Sequence, residues 1–358
     1  MNTQITATPK LYIGLDIHKK SWSVHLATDI CDHRSFTMSP HPQKLEQYVS
    51  DNFAGHQVEI TYESGCCGFS AARYFLQLGW EVTVVNAADI PRIQKQLFQK
   101  SDRIDCRMLC RYLKQQQLKA IYIPTEQQDQ LRSLVRHRNL IVKQLRQTKL
   151  HIKSMLLYQG VSLPSEYDNA NWSKAFIAWL QNLQWQFSPA AYSMQSKLRI
   201  LIHLHKEYLN CANELRSYCR RQHKKDYYLL KSIPGIGGYL AASILAELGD
   251  LRRFANEDQL SAYIGMIPAI RSSGGTQTTM GVTPRSKSLI RSYLIEAAWV
   301  AIRRDPHMQA YYRKQYGKNI KNVIVKVAHK LVKRSLSVIK NERPYQVNFQ
   351  HLSALKPV

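Results

Sequence analysis

Residues 11–28 read Leu11-Tyr12-Ile13-Gly14-Leu15-Asp16-Ile17-His18-Lys19-Lys20-Ser21-Trp22-Ser23-Val24-His25-Leu26-Ala27-Thr28, and this stretch decides the fold. Apolar residues alternate at Ile13, Leu15 and Ile17, then at Trp22, Val24 and Leu26, the period of two that marks a strand. Two strands are therefore expected, Leu11 to His18 and Ser21 to Thr28, joined by a tight turn at Lys19-Lys20. Asp32 to Met38 supplies a third. Helical spacing follows over residues 45–53 and 69–78, with strand-like runs over 57–62 and 82–85. Hairpin strands followed by alternating helices and strands predict a mixed sheet flanked by helices over residues 9–120.

The acids in this region are few and oddly placed. The chain of 358 residues carries 50 Lys+Arg against 25 Asp+Glu, a formal net charge of +25. Asp16 nevertheless sits in the first strand among aliphatic residues, where a carboxylate is costly unless paired or bound to a cation. Glu63 ends the fourth strand, before Ser64-Gly65. Asp102 and Asp105 open a helix expected over Ser101 to Tyr112, and residues three apart share one helix face. Locally, this helix start reads equally well as Ser101 capping a helix whose first-turn acids complement its dipole. Together the four carboxylates form a candidate site for hard divalent cations, which prefer oxygen ligands. The competing reading is four unrelated surface acids.

The positive charge is spread along the chain and points to a polyanionic partner, nucleic acid before a membrane surface. The most apolar stretches, Tyr239 to Leu248 and Ala297 to Ile302, are too short to span a bilayer. The polar Met1 to Lys10 has no signal-peptide core, and seven Cys without a CxxC pair fit a reducing, cytoplasmic setting. Cys66-Cys67 and Cys106/Cys110 are metal candidates in principle, but small core residues are the expected role.

Residues 121–228 hold two series with three-four spacing, from Leu131 to Met155 and from Leu201 to Tyr218, which predict coiled-coil helices. Arg132 to Lys153 contains seven Lys/Arg and no acid, favouring phosphate contact over a merely solvated face. The pair fits an antiparallel hairpin in one chain or an oligomer seam equally. Between them, residues 160–193 carry Trp172, Phe176, Trp179 and Trp185, a small helical insertion. Residues 229–345 form a helical domain. Ser232-Ile233-Pro234-Gly235-Ile236-Gly237-Gly238 before a helix resembles a helix-hairpin-helix turn, with Gly235 and Gly237 freeing backbone N–H groups for phosphate. A plain helix–turn–helix packing unit is the alternative. Arg271-Ser272-Ser273-Gly274-Gly275 reads locally as a flexible basic loop. Arg271 to Lys340 holds 15 Lys/Arg and two acids.

Gly14-Leu15-Asp16-Ile17-His18-Lys19, Tyr62-Glu63-Ser64 and Lys100-Ser101-Asp102-Arg103-Ile104-Asp105 resemble the signatures of the DEDD transposases of the bacterial insertion sequence one-ten family. These are named for four acids on a domain resembling the RuvC Holliday-junction resolvase. Val85-Asn86-Ala87-Ala88-Asp89-Ile90-Pro91, Gly281-Val282-Thr283-Pro284-Arg285, Arg304-Asp305-Pro306 and Val325-Lys326-Val327-Ala328-His329 fit the same family. The resemblance implies an α/β plus all-α chain: a RuvC-like DEDD domain, a coiled-coil middle and a C-terminal transposase domain. It implies Asp16, Glu63, Asp102 and Asp105 as Mg2+ ligands. It also implies a serine nucleophile that attacks DNA and forms a phosphoserine link, here Ser273 with Ser272 as the alternative. No GxxxxGK[ST] phosphate loop is present, as suits strand exchange through covalent links.

Further implications are donor and target DNA, a structured bridge RNA that pairs with both, and a homo-oligomer, dimer or tetramer. Arg103, Arg271, Gly274, Arg285 and Arg291 join Gly235 and Gly237 as expected nucleic-acid contacts. Ser286-Lys287 departs from the Gly-Asn pair common before the family's Leu-Arg element, which touches the roles of Arg285 and Arg291. Two competing functions are a junction nuclease that uses water and makes no covalent link, and a non-catalytic nucleic-acid-binding protein.

Overall fold

The structure, a computed structural model, describes residues 8–90, 102–169, 171–273, 276–282, 287–315 and 317–347, with the strands inside 268–282 given by backbone alone. The chain divides into two compact units, residues 1–126 and 127–358.

The first unit is a mixed five-stranded sheet in the order β3-β2-β1-β4-β5. Its strands are β1 (Lys10–Ile17), β2 (Trp22–Thr28), β3 (Asp32–Met38), β4 (Gln57–Glu63) and β5 (Glu81–Val85). β1 is central, antiparallel to β2 and parallel to β4, so the hairpin expected from residues 11–28 forms the heart of the sheet. Alternation on β1 gives the unit two cores. Leu11, Ile13 and Leu15 are fully buried on one face with Leu45 and Val49 of α1 (Pro42–Asn52) and Ala72 and Phe75 of α2 (Ser70–Gln77). On the other face Tyr12 packs with Cys110 and Leu113 of α3 (Asp102–Lys114). Full burial of each such aliphatic side chain contributes about 1.5–3 kcal/mol. β2 is buried along its whole length because helices cover both faces of the sheet, whereas the outer strand β3 begins with exposed Asp32, His33 and Arg34. Ser101, expected to cap α3, lies outside the described residues.

In the second unit two long helices, α4 (Glu126–Tyr158) and α6 (Ser188–Gln222), form an antiparallel hairpin within one chain. Leu131 and Val135 share a core with Leu215 and Cys219. The Arg138 guanidinium lies 4.2 Å from the Tyr208 ring. Ile152 and Leu156 pack with Met194, Leu198 and Leu201. The insertion closes the far end of this hairpin: α5 (Lys174–Gln181), capped by Ser173, buries Phe176 and Leu180 in the same cluster.

The remaining helices are α7 (Lys224–Lys231), α8 (Gly238–Leu248), α9 (Glu257–Ile264), α10 (Ser288–Arg304), α11 (Pro306–Arg313) and α12 (Ile320–Lys340). α8 is apolar around its circumference and buried from Leu240 to Leu248, making it the central rod of this unit. The stretch read as a loop around Ser273 is instead framed by two strands, β6 (Pro268–Ser273) and β7 (Thr276–Val282), paired antiparallel. The β-branched residues of Thr276-Gln277-Thr278-Thr279 favour the extended conformation of β7.

Candidate metal centre

Two of the four acids, Asp16 and Asp102, come together through the geometry of sheet and helix. Tyr12, Gly14 and Asp16 occupy the face of β1 that α3 covers, because side chains on a strand alternate. The parallel register pairs Gly14 with Thr61 and Leu15 with Tyr62. Asp16 and Glu63 follow that last pair, at the carboxyl ends of these neighbouring parallel strands. Gly14 lets the α3 backbone come down onto β1, which brings Asp102 in the first turn of α3 to the end of the strand.

The tightest group is Asp16, His18 and Asp102, whose potential ligand atoms all lie within 4.8 Å of one another. His18 Nε2 stands 3.1 Å from Asp16 Oδ2 and 3.8 Å from Asp102 Oδ2. The Asp16 side chain is 21% exposed and the other two are open to solvent. Burial pushes the Asp16 carboxyl above the usual carboxylate range; His18 opposes the shift, while Asp102 and Asp105 add to it. Asp16 is thus a half-desolvated acid among other acids, in a chain rich in cations. Carboxylate oxygens with one imidazole suit a divalent cation, which would offset that mutual repulsion. Glu63 and Asp105 are half-buried, and Asp105 is near enough to act electrostatically on Asp16.

His18, the first residue beyond β1, is a potential ligand that the four-acid pattern does not include; its signal in the sequence is its place two residues after Asp16, close enough for the side chains to meet. The cysteines divide. Cys106 and Cys110 are buried, donate to the carbonyls of Arg103 and Tyr12, and are pushed up to about 11 and about 12 by burial, so they are inert core residues. Cys66 is exposed and Cys67 half-buried in the loop after β4, with sulfurs 4.0 Å apart, so the expected core role does not hold for that pair.

The other candidate residues fall as follows. Arg103 is exposed on α3. Gly235 has φ +97, and a Cβ there would meet the Ala297 carbonyl of α10 at 2.5 Å, so packing and backbone conformation both require glycine. Gly237 caps α8 with open space around it. Arg291 donates to the Gly265 carbonyl at 3.2 Å, tying α10 to the end of α9. Lys287, at the departure from the family pattern, caps α10 and lies 3.9 Å from Glu247. Arg271, Ser272 and Ser273 sit on β6, where Ser272 pairs with Gln277 and Ser273 with Thr276. Gly274 and Arg285 lie outside the described residues.

Residues 13–158, which contain all four acids, match the family of DEDD transposases of IS110, and residues 227–313 match the family described as Transposase IS116/IS110/IS902. The chain belongs to the IS110/IS116 family of transposases. Transposases of this family are enzymes that cut and rejoin DNA, and this chain is one of them. It is 28% identical over 242 residues to a Sinorhizobium fredii protein named as a transposase, spanning 68% of this chain and 58% of that protein. It is 25% identical to the transposase for insertion sequence element IS1111A of Coxiella burnetii, over 73% of this chain and 70% of that protein. The pilin gene-inverting protein of Moraxella bovis is 24% identical over 94% of this chain and 98% of its own length. Among the described residues of this IS110-family chain, no helix is long and apolar enough to cross a membrane.

Proposed function

We propose that this transposase mobilises an insertion sequence by covalent serine catalysis on a RuvC-like domain that holds magnesium, in the cytoplasm, guided by a structured bridge RNA. The observation that carries the reading is the group Asp16, His18 and Asp102 at the mouth of a sheet ordered β3-β2-β1-β4-β5, the strand order of ribonuclease H-like folds. Asp16 and Asp102 would hold the ion, with Glu63 and Asp105 completing the acid set. A bound Mg2+ supplies charge neutralisation at the scissile phosphate and offsets the cost of ionising the serine.

The serine hydroxyl of Ser273 attacks the phosphorus, forming an Oγ–P bond as the bond from phosphorus to the departing strand oxygen breaks, and the serine proton ends on that oxygen, which leaves as a hydroxyl. Attack by the incoming strand's hydroxyl reverses this exchange, so bond energy is conserved without a nucleotide cofactor. Ser273 lies in one unit of the chain and the acids in the other, so the reading requires the two to meet on DNA, within a protomer or between protomers of a dimer or tetramer. The net charge of +25 supports backbone contacts to donor DNA, target DNA and guide RNA, while base pairing specifies sequence.

The test is a denaturing gel of end-labelled element DNA incubated with the full chain, the noncoding RNA transcribed beside the gene, and Mg2+. The expected result is a protein–DNA adduct that Ser272→Ala retains and that Ser273→Ala and Asp102→Asn lose. Free cleavage products from Ser273→Ala would instead establish a nuclease that uses water, and unchanged recombination by Asp102→Asn would remove the metal centre from the mechanism.

A further inference from the structure

Beside α8 the second unit opens into a solvent-accessible cavity of about 780 Å³ whose polar lining includes Arg216 and Arg220 of α6, Lys231 at the end of α7 and Gly238 at the start of α8. None of these three cations is ion-paired among the described residues: Arg216 bonds only to the Asn213 side chain and the Ala212 carbonyl, and Lys231 lies against the Tyr228 ring. The single acid in the lining, Glu214, pairs with Arg221 at 3.6 Å. Tyr227 also lines the cavity. It is 2% exposed, yet its hydroxyl makes no hydrogen bond among the described residues. A Cβ on Gly238 would strike that hydroxyl and stand 3.5 Å from Arg216 Cδ, so the glycine keeps the tyrosine oxygen and the Arg216 stem against the helix N-terminus. Burial raises the pKa of the Tyr227 hydroxyl while Arg220 and Arg216 oppose the rise, which places both guanidinium groups within electrostatic reach of it.

The Tyr227 hydroxyl without a protein partner, three cations outside any ion pair and the first turn of an eleven-residue helix outweigh the single acid, which Arg221 already pairs, and make the pocket cationic and rich in donors, the chemistry of an anion site. Because the cavity is open to solvent rather than closed, it fits a phosphate of a polymer passing through better than an enclosed free metabolite.

We infer that this cavity clamps the phosphodiester backbone of a nucleic acid, with Arg216, Arg220, Lys231 and the Tyr227 hydroxyl donating to phosphate oxygens at the start of α8. The inference rests on the transposase reading and adds to it a binding site distant in sequence from both the acids and the serine. A phosphate held here fixes register and carries no base information.

The experiment measures binding of the full chain to a labelled DNA duplex and, separately, to a labelled RNA hairpin across a salt series. Arg220→Ala/Lys231→Ala is compared with Arg199→Ala/Lys206→Ala, which removes the same charge from α6 outside the cavity. The cavity pair is expected to bind about tenfold more weakly, with a salt dependence shallower by about one counterion per substitution. Tyr227→Phe, which keeps the packing, is expected to weaken binding about threefold or more through the lost hydroxyl. Loss on the duplex, on the hairpin or on both supports the clamp and identifies its polymer. Equal losses in the cavity pair and the control pair, or no loss in either polymer, overturn it. Failure of the unaltered chain to bind both polymers would instead strike the transposase reading itself.

Discussion

Gly14 of β1 lies directly beneath the Cys106 carbonyl of α3: a Cβ at position 14 would collide with that oxygen and stand 2.6 Å from the Cys110 amide nitrogen. The obstructing atoms are backbone, which cannot swing aside as a flexible side chain can. Gly14→Ala must therefore lift α3 from the sheet, and α3 carries Asp102 and Asp105. Overpacking of this kind costs about 1–3 kcal/mol, and the rigid obstacle places Gly14→Ala at the upper end. Urea unfolding should show the lowered midpoint, and Mn2+ titration calorimetry of the folded variant should show weakened metal binding. A variant with native stability and native metal affinity would break the link between this glycine and the acid site.

Asp16 separates stability from function. It is half-buried beside other acids, so a neutral amide relieves repulsion that the fold otherwise bears. Asp16→Asn is expected to leave the unfolding midpoint unchanged or raised while metal-dependent strand cleavage falls at least about 100-fold. His18→Ala should weaken metal binding by about 10–100-fold, whether the imidazole ligates or orients Asp16. Calorimetry alongside the cleavage gel reads both quantities on the same preparation.

The sheet was legible because it rests on local pattern, and so was the oddity of Asp16. The period-two alternation of residues 11–28 gave β1 and β2 almost to the residue, and an acid among aliphatics at position 16 advertised its own cost. Features set by distant partners were not legible. The seam periodicity of α4 and α6 states that something packs there but not which chain supplies it. Gly235 resembled a phosphate turn, yet its strongest constraint is the Ala297 carbonyl, 62 residues on in sequence and invisible to a local reading. The β6–β7 pairing was obscured because Gly274-Gly275 reads as flexibility when the flanking strands are not recognised as partners.

Arg304-Asp305-Pro306 was a family signature without a stated reason, and the structure supplies one. The Asp305 side chain is fully buried and accepts from the His307 amide at 2.9 Å, capping α11, whose first residue is Pro306. It also pairs with Arg334 of α12 and accepts from the Tyr345 hydroxyl at 3.1 Å. Asp305→Ala removes the cap and strands a guanidinium that is itself largely buried, a change that costs about 3–5 kcal/mol. Tyr345→Phe removes one hydrogen bond and should cost about 1 kcal/mol. Chemical denaturation of the two variants should preserve that ranking, and a reversed order would show that Asp305 is not the organising group.

His25 should make the first unit sensitive to acid. It is 3% exposed on β2, its Nδ1 lies 2.8 Å from Ser35 Oγ, and burial lowers its pKa below the ordinary 6.5, with Asp32 opposing and Arg107 and His33 reinforcing. A histidine whose folded pKa is depressed is neutral in the fold at pH values where the unfolded chain already binds a proton. Its contribution is therefore fully present above pH 6.5 and is lost as pH falls from 6.5 through the lower folded pKa. Burial likewise lowers the pKa of His329 on α12, assisted by Lys333 and opposed by Asp258 and Glu257, so the second unit shares the direction. The melting temperature of the full chain should fall on acidification from pH 7.5 to 5.5. His25→Gln, which keeps a polar partner for Ser35 and cannot titrate, should flatten the part of that fall belonging to the sheet unit, read by the near-ultraviolet signal of Trp22 and Trp80. An unchanged slope in His25→Gln would move the acid sensitivity from His25 to the carboxylates around it.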